Sequence, residues 1–339
     1  MKALKMIQYG DIETSLNFQQ EDKPEPAAHE VLIKVHAASV NPIDNKILRG
    51  DFKAFSKVNF PAGIGRDVSG EVVAVGHAVA GFKKGDQVFS RVGEEHVGTV
   101  AEFVTVDADH LAKKPENLSH QDAAGIPLVG LTSYQALIKI AKLKEGDKIL
   151  IHAGSGGIGS MAIQLAKSYG AYVITTTSTE NVQWVKALGA DQVIDYKKEN
   201  YLDMLSGIDV VFDTLGGQYT LDAFKVIKDG GRVVSITGEL DPQTAKEMGL
   251  NWLIRKLLGF KSRAITKAAK QKAALYRMVL MKADGLQLGA LSQLYQDEII
   301  NPVMDRTYSF EQSKEAFAYL ATGRAKGKVV ISMQTESAN

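Results

Sequence analysis

A glycine-rich turn near the middle of the chain is the sequence feature that most constrains the fold. The apolar run Lys148–His152 is typical of a buried strand, and the helical period of Ile158–Tyr169 begins inside the turn that follows it. A strand, a Gly-x-Gly-x-x-Gly turn and a helix in this order form the dinucleotide-binding unit of a parallel sheet. The predicted cofactor-binding residues of this turn are Gly154, Ser155, Gly156, Gly157, Ile158 and Gly159.

Each glycine of the motif has a physical role in that interpretation. Gly154 permits the tight turn, Gly156 lets the backbone approach a diphosphate, and Gly159 lets the helix and the strand pack closely. The diphosphate then meets the free N–H groups and the positive end of the helix dipole. A structural turn without a ligand is the alternative, and the context of the motif favours the dinucleotide site.

Strand and helix patterns alternate from about Ala123 onward, which predicts an α/β fold with a doubly wound parallel sheet. The predicted strands are Lys148–His152, Tyr172–Thr176, Gln192–Ile194, Asp209–Asp213 and Arg232–Ile236. The predicted helices between them are Ile158–Tyr169, Val182–Leu188 and Leu221–Ile227. After residue 283 the pattern predicts a helix over Leu286–Glu298, a strand that begins with Pro302, a helix over Glu311–Thr322 and a final strand over Lys328–Met333.

The first 115 residues have a different period. Apolar and polar residues alternate in short runs separated by turn residues, which predicts a small β-barrel or β-sandwich. These runs are Glu30–Val40, Val68–Val75, Gln87–Arg91 and Ala101–Val106. The predicted domains are therefore a β domain over residues 1–122, a dinucleotide-binding domain over 123–282, and a C-terminal segment over 283–339.

The end of the second strand of the dinucleotide-binding domain indicates which dinucleotide binds. Enzymes that use NAD place a carboxylate at this point, where it binds the hydroxyls of the adenine ribose. Thr175–Thr179 has hydroxyl side chains instead, and Glu180 lies beyond the strand in the expected first turn of a helix. Because hydroxyls do not repel a 2′-phosphate, the sequence favours NADPH, with Thr177 and Ser178 as candidate ligands; a plain polar loop is the alternative.

Composition excludes several classes of protein. Lys and Arg total 40 and Asp and Glu total 39, so the net charge of +1 provides no general attraction to nucleic acid. The absence of cysteine excludes disulfides, thiolate nucleophiles and cysteine-ligated metals, and it favours a cytoplasmic protein. Neither a secretory leader nor an apolar run long enough to span a bilayer is expected from the pattern.

With these features in place, the whole chain resembles the zinc-independent medium-chain dehydrogenases/reductases of the quinone oxidoreductase (zeta-crystallin-like) group. The resemblance covers essentially the full length and depends on the order and spacing of several motifs. They are Val40–Asp44, Pro61–Gly70, Gly130–Tyr134, Val211–Gly217 and Gly323–Val330. It implies an N-terminal GroES-like β-barrel domain, completed by the C-terminal segment, around an inserted Rossmann domain, with the nicotinamide between the two.

The resemblance also implies further cofactor-binding residues. Asn41 and Thr132 match positions near the nicotinamide, whereas Tyr196 and Arg324 match positions near the 2′-phosphate. Asn181 stands where some members have lysine, which makes the phosphate pocket less basic. Leu215, in the motif after the fourth Rossmann strand, completes the predicted set. A packing role for Tyr196 and a solvated helix end for Arg324 are the alternatives.

No metal and no catalytic acid are assigned from the sequence. The chain has seven histidines, but none is spaced as a zinc motif, and Arg66 replaces the histidine expected at one ligand position of zinc-dependent relatives. His152 is expected to pack at the end of its strand.

Phe52, Phe55 and Phe60 occupy a loop where some relatives have tyrosines, so they can stack on a substrate or pack in the core but donate no proton. Water is the expected proton donor.

The sequence and the resemblance together predict an NADPH-dependent oxidoreductase that transfers hydride to a quinone or an α,β-unsaturated carbonyl. An enoyl-thioester reductase is an alternative, and it requires a longer groove for a pantetheine arm. A dinucleotide-binding sensor or nucleic-acid-binding protein with little turnover is a second alternative, which the near-zero net charge disfavours.

Two segments indicate further contacts. Residues 252–282 contain nine Lys or Arg and no acid, together with Trp252 and several large apolar residues. We favour a solvated helix, whose charges are balanced by acids elsewhere, over a peripheral membrane contact.

The apolar run Ala273–Lys282 predicts an edge strand of the Rossmann sheet, and pairing of this strand with a second copy predicts a homodimer.

Overall fold

The computed structural model describes residues 1–53 and 57–333. Two compact units divide the chain: the first contains Met1–Leu131 and the segment from Lys282 onward, and the second contains Thr132–Met281. The sequence prediction places the boundaries at 122/123 and 282/283. Phe55 falls outside the described residues.

The first unit is built mainly from β-strands. Its strands are β1 (Lys2–Met6), β2 (Leu16–Gln20), β3 (Glu30–Val40), β4 (Ala62–Gly63), β5 (Asp67–Val75), β6 (Gln87–Arg91), β7 (Phe103–Asp107) and β8 (Leu111–Lys113). Its early helices are α1 (Ile12–Ser15), α2 (Pro42–Arg49) and α3 (His120–Ala124), and α4 (Pro127–Tyr134) crosses the boundary into a π-helical turn, Gln135–Ile140.

The second unit contains the predicted alternation of strands and helices. Its strands are β9 (Lys148–Ile151), β10 (Tyr172–Thr177), β11 (Gln192–Asp195), β12 (Ile208–Asp213), β13 (Ile227–Ser235) and β14 (Leu275–Met278). Its helices are α5 (Gly157–Ser168), α6 (Val182–Ala187), α7 (Tyr201–Met204), α8 (Gln218–Val226), α9 (Pro242–Glu247), α10 (Trp252–Lys261) and α11 (Arg263–Gln271).

The C-terminal segment completes the first unit. It forms α12 (Gly285–Gln296), β15 (Met304–Ser309), α13 (Ser313–Ala321) and β16 (Lys328–Ser332). Strand β16 pairs antiparallel with β3, with Val330 opposite Ser39. The main sheet of the unit has the order β15-β16-β3-β5-β6-β8, and β7 also pairs with β3. The C-terminal segment therefore belongs to the first unit.

The central position of β3 explains its burial. Val31, Ile33 and Val35 are buried as their alternation predicts, but Ala37 and Ala38 are both buried as well. In the second half of β3, Ala37 packs beside α3 and Ala38 packs beside α13, so both faces of this part of the strand are covered. A pattern of alternating residues identifies the strand but not the number of neighbours that cover it.

All six strands of the second unit are parallel, in the order β11-β10-β9-β12-β13-β14. This is the Rossmann order, which reverses direction between β9 and β12, and the parallel pairing brings the carboxyl ends of β9, β10, β11 and β12 to one edge. The core combines sheet residues such as Leu150, Ile174 and Val211 with Ala223 and Phe224 of α8. The predicted α/β fold with a doubly wound parallel sheet is confirmed.

Two details of the second unit differ from the sequence prediction. Strand β13 begins at Ile227 rather than Arg232. The expected edge strand over residues 273–282 forms only over Leu275–Met278, since Ala273 has a φ of 46° and cannot belong to an extended strand. In the described part of the chain, no helix has the length and apolar character needed to cross a bilayer.

Candidate cofactor and active site

The glycine turn has the local geometry that a dinucleotide site requires. A Cβ atom at Gly154 would lie 2.3 Å from Thr175 Oγ1, and one at Gly159 would lie 2.2 Å from the carbonyl oxygen of Ala153. Both positions therefore exclude any side chain. At Gly156 a Cβ atom would meet only the Ala153 oxygen, at 3.5 Å, so the space in front of this residue is open.

Helix α5 begins in this turn with its first N–H groups uncapped. Gly156 is the N-cap residue and has no side chain to accept a hydrogen bond from the first turn. Gly157 and Ile158 are only half-buried. Ser155 is also half-buried, and the positive end of the helix dipole lies beside it. Free N–H groups at an accessible helix start are suited to bind a diphosphate.

The end of β10 provides hydroxyl groups beside the turn. Thr175 donates to the carbonyl oxygen of Ile151, and Thr176 accepts from the backbone N–H of Ala153. Thr177 Oγ1, in contrast, is buried and has no hydrogen-bond partner within residues 1–53 and 57–333. A buried hydroxyl without a partner costs free energy unless a ligand satisfies it. Thr177 therefore fits a ligand that ends at this strand.

Asn181 and Ser178 are held together just beyond the strand. Asn181 donates from its side-chain amide to Ser178 Oγ at 3.0 Å and accepts from the Trp184 indole N–H at 3.0 Å. Both residues are buried. Asn181 thus orders the loop after β10. It places no positive charge at this point, where some members of the group that the chain resembles have lysine.

Tyr196 follows β11 at the same edge of the sheet. Tyr196 is 60% exposed, and its backbone N–H donates to the carbonyl oxygen of Thr177. The packing alternative for Tyr196 is inconsistent with this exposure. The ring is accessible to a ligand bound at the end of β10.

Lys197, which the sequence did not single out, forms an ion pair with Glu180 near this position at 3.1 Å. A hydrogen bond from its own backbone N–H, then those from Lys197 and Ser178, lower the pKa of Glu180 to about 2. The carboxylate is therefore ionised at neutral pH, and it partly neutralises the nearest lysine. The local charge alone supplies little attraction for a 2′-phosphate.

Asp213 organises the loop after β12. Its carboxylate accepts from the backbone N–H groups of Leu215 and Gly216 at 3.0 and 2.9 Å. It also accepts from the side chains of His152, Thr220 and Ser235. Burial raises the pKa of Asp213, but the hydrogen bonds from His152, Thr220 and Gly216 outweigh it and leave the pKa far below its usual range.

This network fixes Leu215, which is 43% exposed at the sheet edge where the glycine turn lies. His152 is fully buried, as the sequence predicted. Its contribution is to position the loop, because its Nδ1 contacts the Asp213 carboxylate at 3.2 Å.

Asn41 belongs to a buried polar cluster in the first unit. Its side-chain amide donates to Asp67 Oδ2 at 2.9 Å, and its side-chain oxygen accepts from Lys328 Nζ. Burial lowers the pKa of Lys328, and the Asp67 carboxylate partly opposes that effect. These two contacts fix the orientation of the Asn41 side chain, and the amide keeps one further N–H group and one further lone pair.

Lys328 and Asp67 are residues that sequence reasoning missed as members of the site. Both lie in motifs used for the resemblance, but the contact between Lys328 and Asn41 joins residues 287 positions apart. Asp67 also accepts from the backbone N–H of Leu128 at 2.9 Å and so fixes the start of α4. The cluster thereby links β3, β5, β16 and α4.

The remaining predicted residues lie apart in the chain. Thr132 is buried in α4. Arg324 follows α13 in the first unit, where its side chain is exposed and has no ion pair among the described residues. Phe52 and Phe60 are 37% and 39% exposed, and Phe60 packs edge-on against Tyr9 with ring centroids 4.9 Å apart.

Comparisons with known proteins agree with this architecture. Residues 27–116 match the model of the alcohol dehydrogenase GroES-like domain, and residues 188–331 match that of the zinc-binding dehydrogenase. The chain is 37% identical to the 2-methylene-furan-3-one reductase of Solanum lycopersicum, over 98% of this chain and 79% of that one. It has the same identity and coverages with the chloroplastic NADPH-dependent alkenal/one oxidoreductase of Arabidopsis thaliana.

A solved structure extends the agreement to three dimensions. The quinone oxidoreductase from Coxiella burnetii superposes with a TM-score of 0.84 and 34% sequence identity, covering 98% of this chain and 99% of that one. This chain belongs to the medium-chain dehydrogenase/reductase family. Within the family it is grouped with the quinone and alkenal oxidoreductases, and the predicted GroES-like and Rossmann domains are confirmed.

Many medium-chain dehydrogenases hold zinc, and Arg66 stands where zinc-dependent members have a histidine ligand. Arg66 is 5% exposed there, and its guanidinium contacts Asp44 at 2.6 Å and Glu94 at 3.2 Å. A guanidinium stays cationic and has no lone pair to offer a metal. No cluster of three His, Asp or Glu that could hold a metal occurs within the described ranges. The residues at this position do not fit zinc.

Proposed function

We propose that this member of the family is an NADPH-dependent reductase of quinones or α,β-unsaturated carbonyls. The proposal depends on one observation at the carboxyl-terminal edge of the Rossmann sheet. There the open glycine turn lies beside the Thr177 hydroxyl, which is buried and has no hydrogen-bond partner in the described residues. Two relatives that are 37% identical over 98% of the chain are named as reductases of a furanone and of alkenals and enones.

The preference for NADPH over NADH follows from the residues around the end of β10. Thr177 and Ser178 place hydroxyl groups at that strand end, and the exposed ring of Tyr196 lies beside them. Arg324, which matches a position near the 2′-phosphate in the family that the chain resembles, supplies the cation in the proposal; its side chain is exposed and has no ion pair in the described residues. A guanidinium can donate two hydrogen bonds to one phosphate, which makes it a strong ligand for a 2′-phosphate.

The chemistry needs a bound hydride donor and a conjugated acceptor rather than a strong acid. The nicotinamide of NADPH supplies the hydride when bound. The protein's contribution is positioning: Asp213 fixes the loop that contains Leu215, and the cluster of Asn41, Asp67 and Lys328 fixes the ends of β3 and β16. Water delivers the proton to the reduced product, since no described side chain is assigned as the acid.

Turnover of an acceptor panel tests this function. Oxidation of NADPH is followed with simple quinones, enals, enones and enoyl thioesters at matched concentrations. We expect kcat/KM to be highest for a quinone or an enone. A preference for enoyl thioesters would establish the alternative reductase, and the absence of turnover with every acceptor would establish a binding protein.

We also propose that the reaction is metal-independent. Support comes from the buried ion pair between Arg66 and Asp44, which occupies the position of a zinc ligand with a permanent cation. Dialysis against a strong chelator is expected to leave kcat unchanged. Loss of activity on dialysis, with recovery on addition of zinc, would contradict the proposal.

We propose further that the chain forms a homodimer through residues 273–282. Leu275 and Leu280 are 40% and 39% exposed at the edge of the Rossmann sheet, where an isologous contact would bury them. The backbone N–H groups of Met278 and Val279 already donate to Asp241 and Ser235 within the chain. The proposed contact is therefore carried by the apolar side chains and not by a ladder at these two residues.

Light scattering tests the assembly. The expected mass is about twice the chain mass of 36.7 kDa, and Leu280→Asp is expected to return it to the monomer value. A wild-type monomer at micromolar concentration would refute the proposed dimer and would leave the proposed reaction untouched.

A further inference from the structure

Helix α10 exposes an apolar face that no part of the described chain covers. Leu253, Leu257 and Phe260 are 54%, 69% and 76% exposed. They stand at positions i, i+4 and i+7 of one helix, so they lie on one face. Trp252, at the start of the helix, is 64% exposed, and the helix contains no buried residue.

The helix is nevertheless well formed and anchored. Asn251 caps its start by accepting from the backbone N–H of Ile254 at 3.0 Å. It packs against α9 and α11, and Lys261 forms an ion pair with Glu239 at 3.7 Å. An anchored helix with a large exposed apolar face is typical of a surface that contacts a partner.

The charges around this face are positive. Residues 252–282 include nine Lys or Arg and no Asp or Glu. Acids elsewhere balance Lys261, Lys272 and Arg277, as the solvated-helix interpretation expects. That interpretation does not extend to the rest of the segment. Within the described residues, the cations that form no ion pair include Lys256, Arg263, Lys267 and Lys270.

Two occupants are compatible with an apolar face, and the charge distinguishes them. In a contact between two copies through this face, the cations of one copy would meet the same cations of the other, which is repulsive. An anionic lipid surface presents opposite charge and an apolar interior together. A helix with apolar and aromatic side chains flanked by lysines lies in such an interface, and its lysine side chains extend to the headgroups.

We propose that α10 is a peripheral docking site for an anionic lipid bilayer. Leu253, Leu257 and Phe260 enter the boundary between headgroups and acyl chains. Lys256 and the cations of α11 contact the anionic headgroups. The proposal does not depend on the reaction proposed above, since none of these residues belongs to the cofactor site.

Flotation of the full-length protein with vesicles tests the proposal. One vesicle preparation is phosphatidylcholine alone, and the other is an equal mixture of phosphatidylcholine and phosphatidylglycerol. The wild-type protein is expected to float with the mixed vesicles, to float much less with the neutral ones, and to dissociate as salt is raised.

Three variants separate the apolar and the charged contributions. Leu257→Glu is expected to lower the partition coefficient on mixed vesicles at least about tenfold, because it places an acid in the apolar face. Lys256→Gln is expected to lower it about fivefold, the effect of one cation at an anionic surface. Leu286→Glu is the matched control, since Leu286 is a 90% exposed leucine on α12, and no change is expected.

Several outcomes would overturn the proposal. One is wild-type protein that does not float with the mixed vesicles. Another is a Leu257→Glu variant that floats as well as the wild type. A third concerns sedimentation of the protein without vesicles. If the wild type self-associates there and Leu257→Glu does not, the occupant of this face is a second copy of the chain. Circular dichroism and turnover of each variant verify that the fold is intact, because Leu257 and Lys256 are exposed.

Discussion

Replacing Gly156 by alanine separates ligand binding from folding at the glycine turn. The added Cβ would meet only the carbonyl oxygen of Ala153, at 3.5 Å, which is an ordinary contact. The backbone of Gly156 has a φ of −80° and a ψ of 166°, which alanine adopts without strain. The new methyl group therefore fits the protein itself and enters only the space proposed for the diphosphate.

The magnitudes expected for stability and for binding are different. Reduced freedom of the unfolded chain stabilises Gly156→Ala by roughly 0.4–1 kcal/mol, and the poorer N-cap offsets about as much. The free energy of unfolding of the apo protein should thus change by less than about 0.5 kcal/mol. Loss of a charged hydrogen bond to the diphosphate costs about 1.5–3 kcal/mol, which weakens NADPH binding about tenfold to a hundredfold.

Gly159→Ala is the contrasting variant. Its Cβ would lie 2.2 Å from the Ala153 oxygen, so the backbone must shift, and we expect a loss of about 1–3 kcal/mol in the free energy of unfolding. Fluorescence titration with NADPH and urea denaturation of the apo protein measure the two effects. The reasoning would be refuted if Gly156→Ala bound NADPH as tightly as the wild type, or if it unfolded like Gly159→Ala.

Three other predictions follow from the structure. Arg324→Ala should lower kcat/KM for NADPH at least about tenfold and leave kcat/KM for NADH nearly unchanged. Lys326→Ala, a change at a nearby exposed cation, should affect neither value, and equal losses with both cofactors in Arg324→Ala would count against Arg324 as a ligand of the 2′-phosphate. Arg66→Met should lower the free energy of unfolding in urea by about 3 kcal/mol, because it leaves the buried Asp44 carboxylate unpaired; an unchanged midpoint would contradict this. Burial lowers the pKa of His120 to about 4 from its ordinary 6.5, so the unfolded chain takes up the proton first and the free energy of unfolding should fall as the pH drops from 6.5 towards 4. His120→Gln should reduce this dependence of the free energy of unfolding on pH, measured by urea denaturation at several pH values. An unchanged dependence would exclude His120 as its cause.

The second unit shows what the sequence can predict. Strand and helix periods located β9, β10, β11 and β12 to within a few residues, and the glycine turn indicated where a ligand would lie. These features are local, because a buried parallel strand is nearly continuous in apolar residues and only glycine fits at Gly154 and Gly159. The order of the strands was not predicted, because right-handed crossovers fix the hand of each connection but not which strands become neighbours.

Other features depend on contacts that no local pattern contains. The cluster of Asn41, Asp67 and Lys328 joins three distant segments, so the occupation of both ends of the Asn41 amide could not be predicted. Most of residues 273–282 are apolar, but the strand forms only over Leu275–Met278, and the positive φ of Ala273 prevents it from beginning at that residue. Likewise, the sequence of α10 shows apolar and cationic residues, but only the structure shows that nothing in the described chain covers them.

The position of the transferred hydride tests the central claim most directly. The protein is incubated with a simple enone and NADPH that contains deuterium at C4 of the nicotinamide, on the face from which hydride is transferred, and the product is examined by NMR. We predict one deuterium at the carbon β to the carbonyl and a solvent proton at the α carbon, as expected for conjugate hydride transfer with water as the proton donor. Deuterium at the carbonyl carbon, which would mark an alcohol dehydrogenase reaction, or product without deuterium would contradict the account.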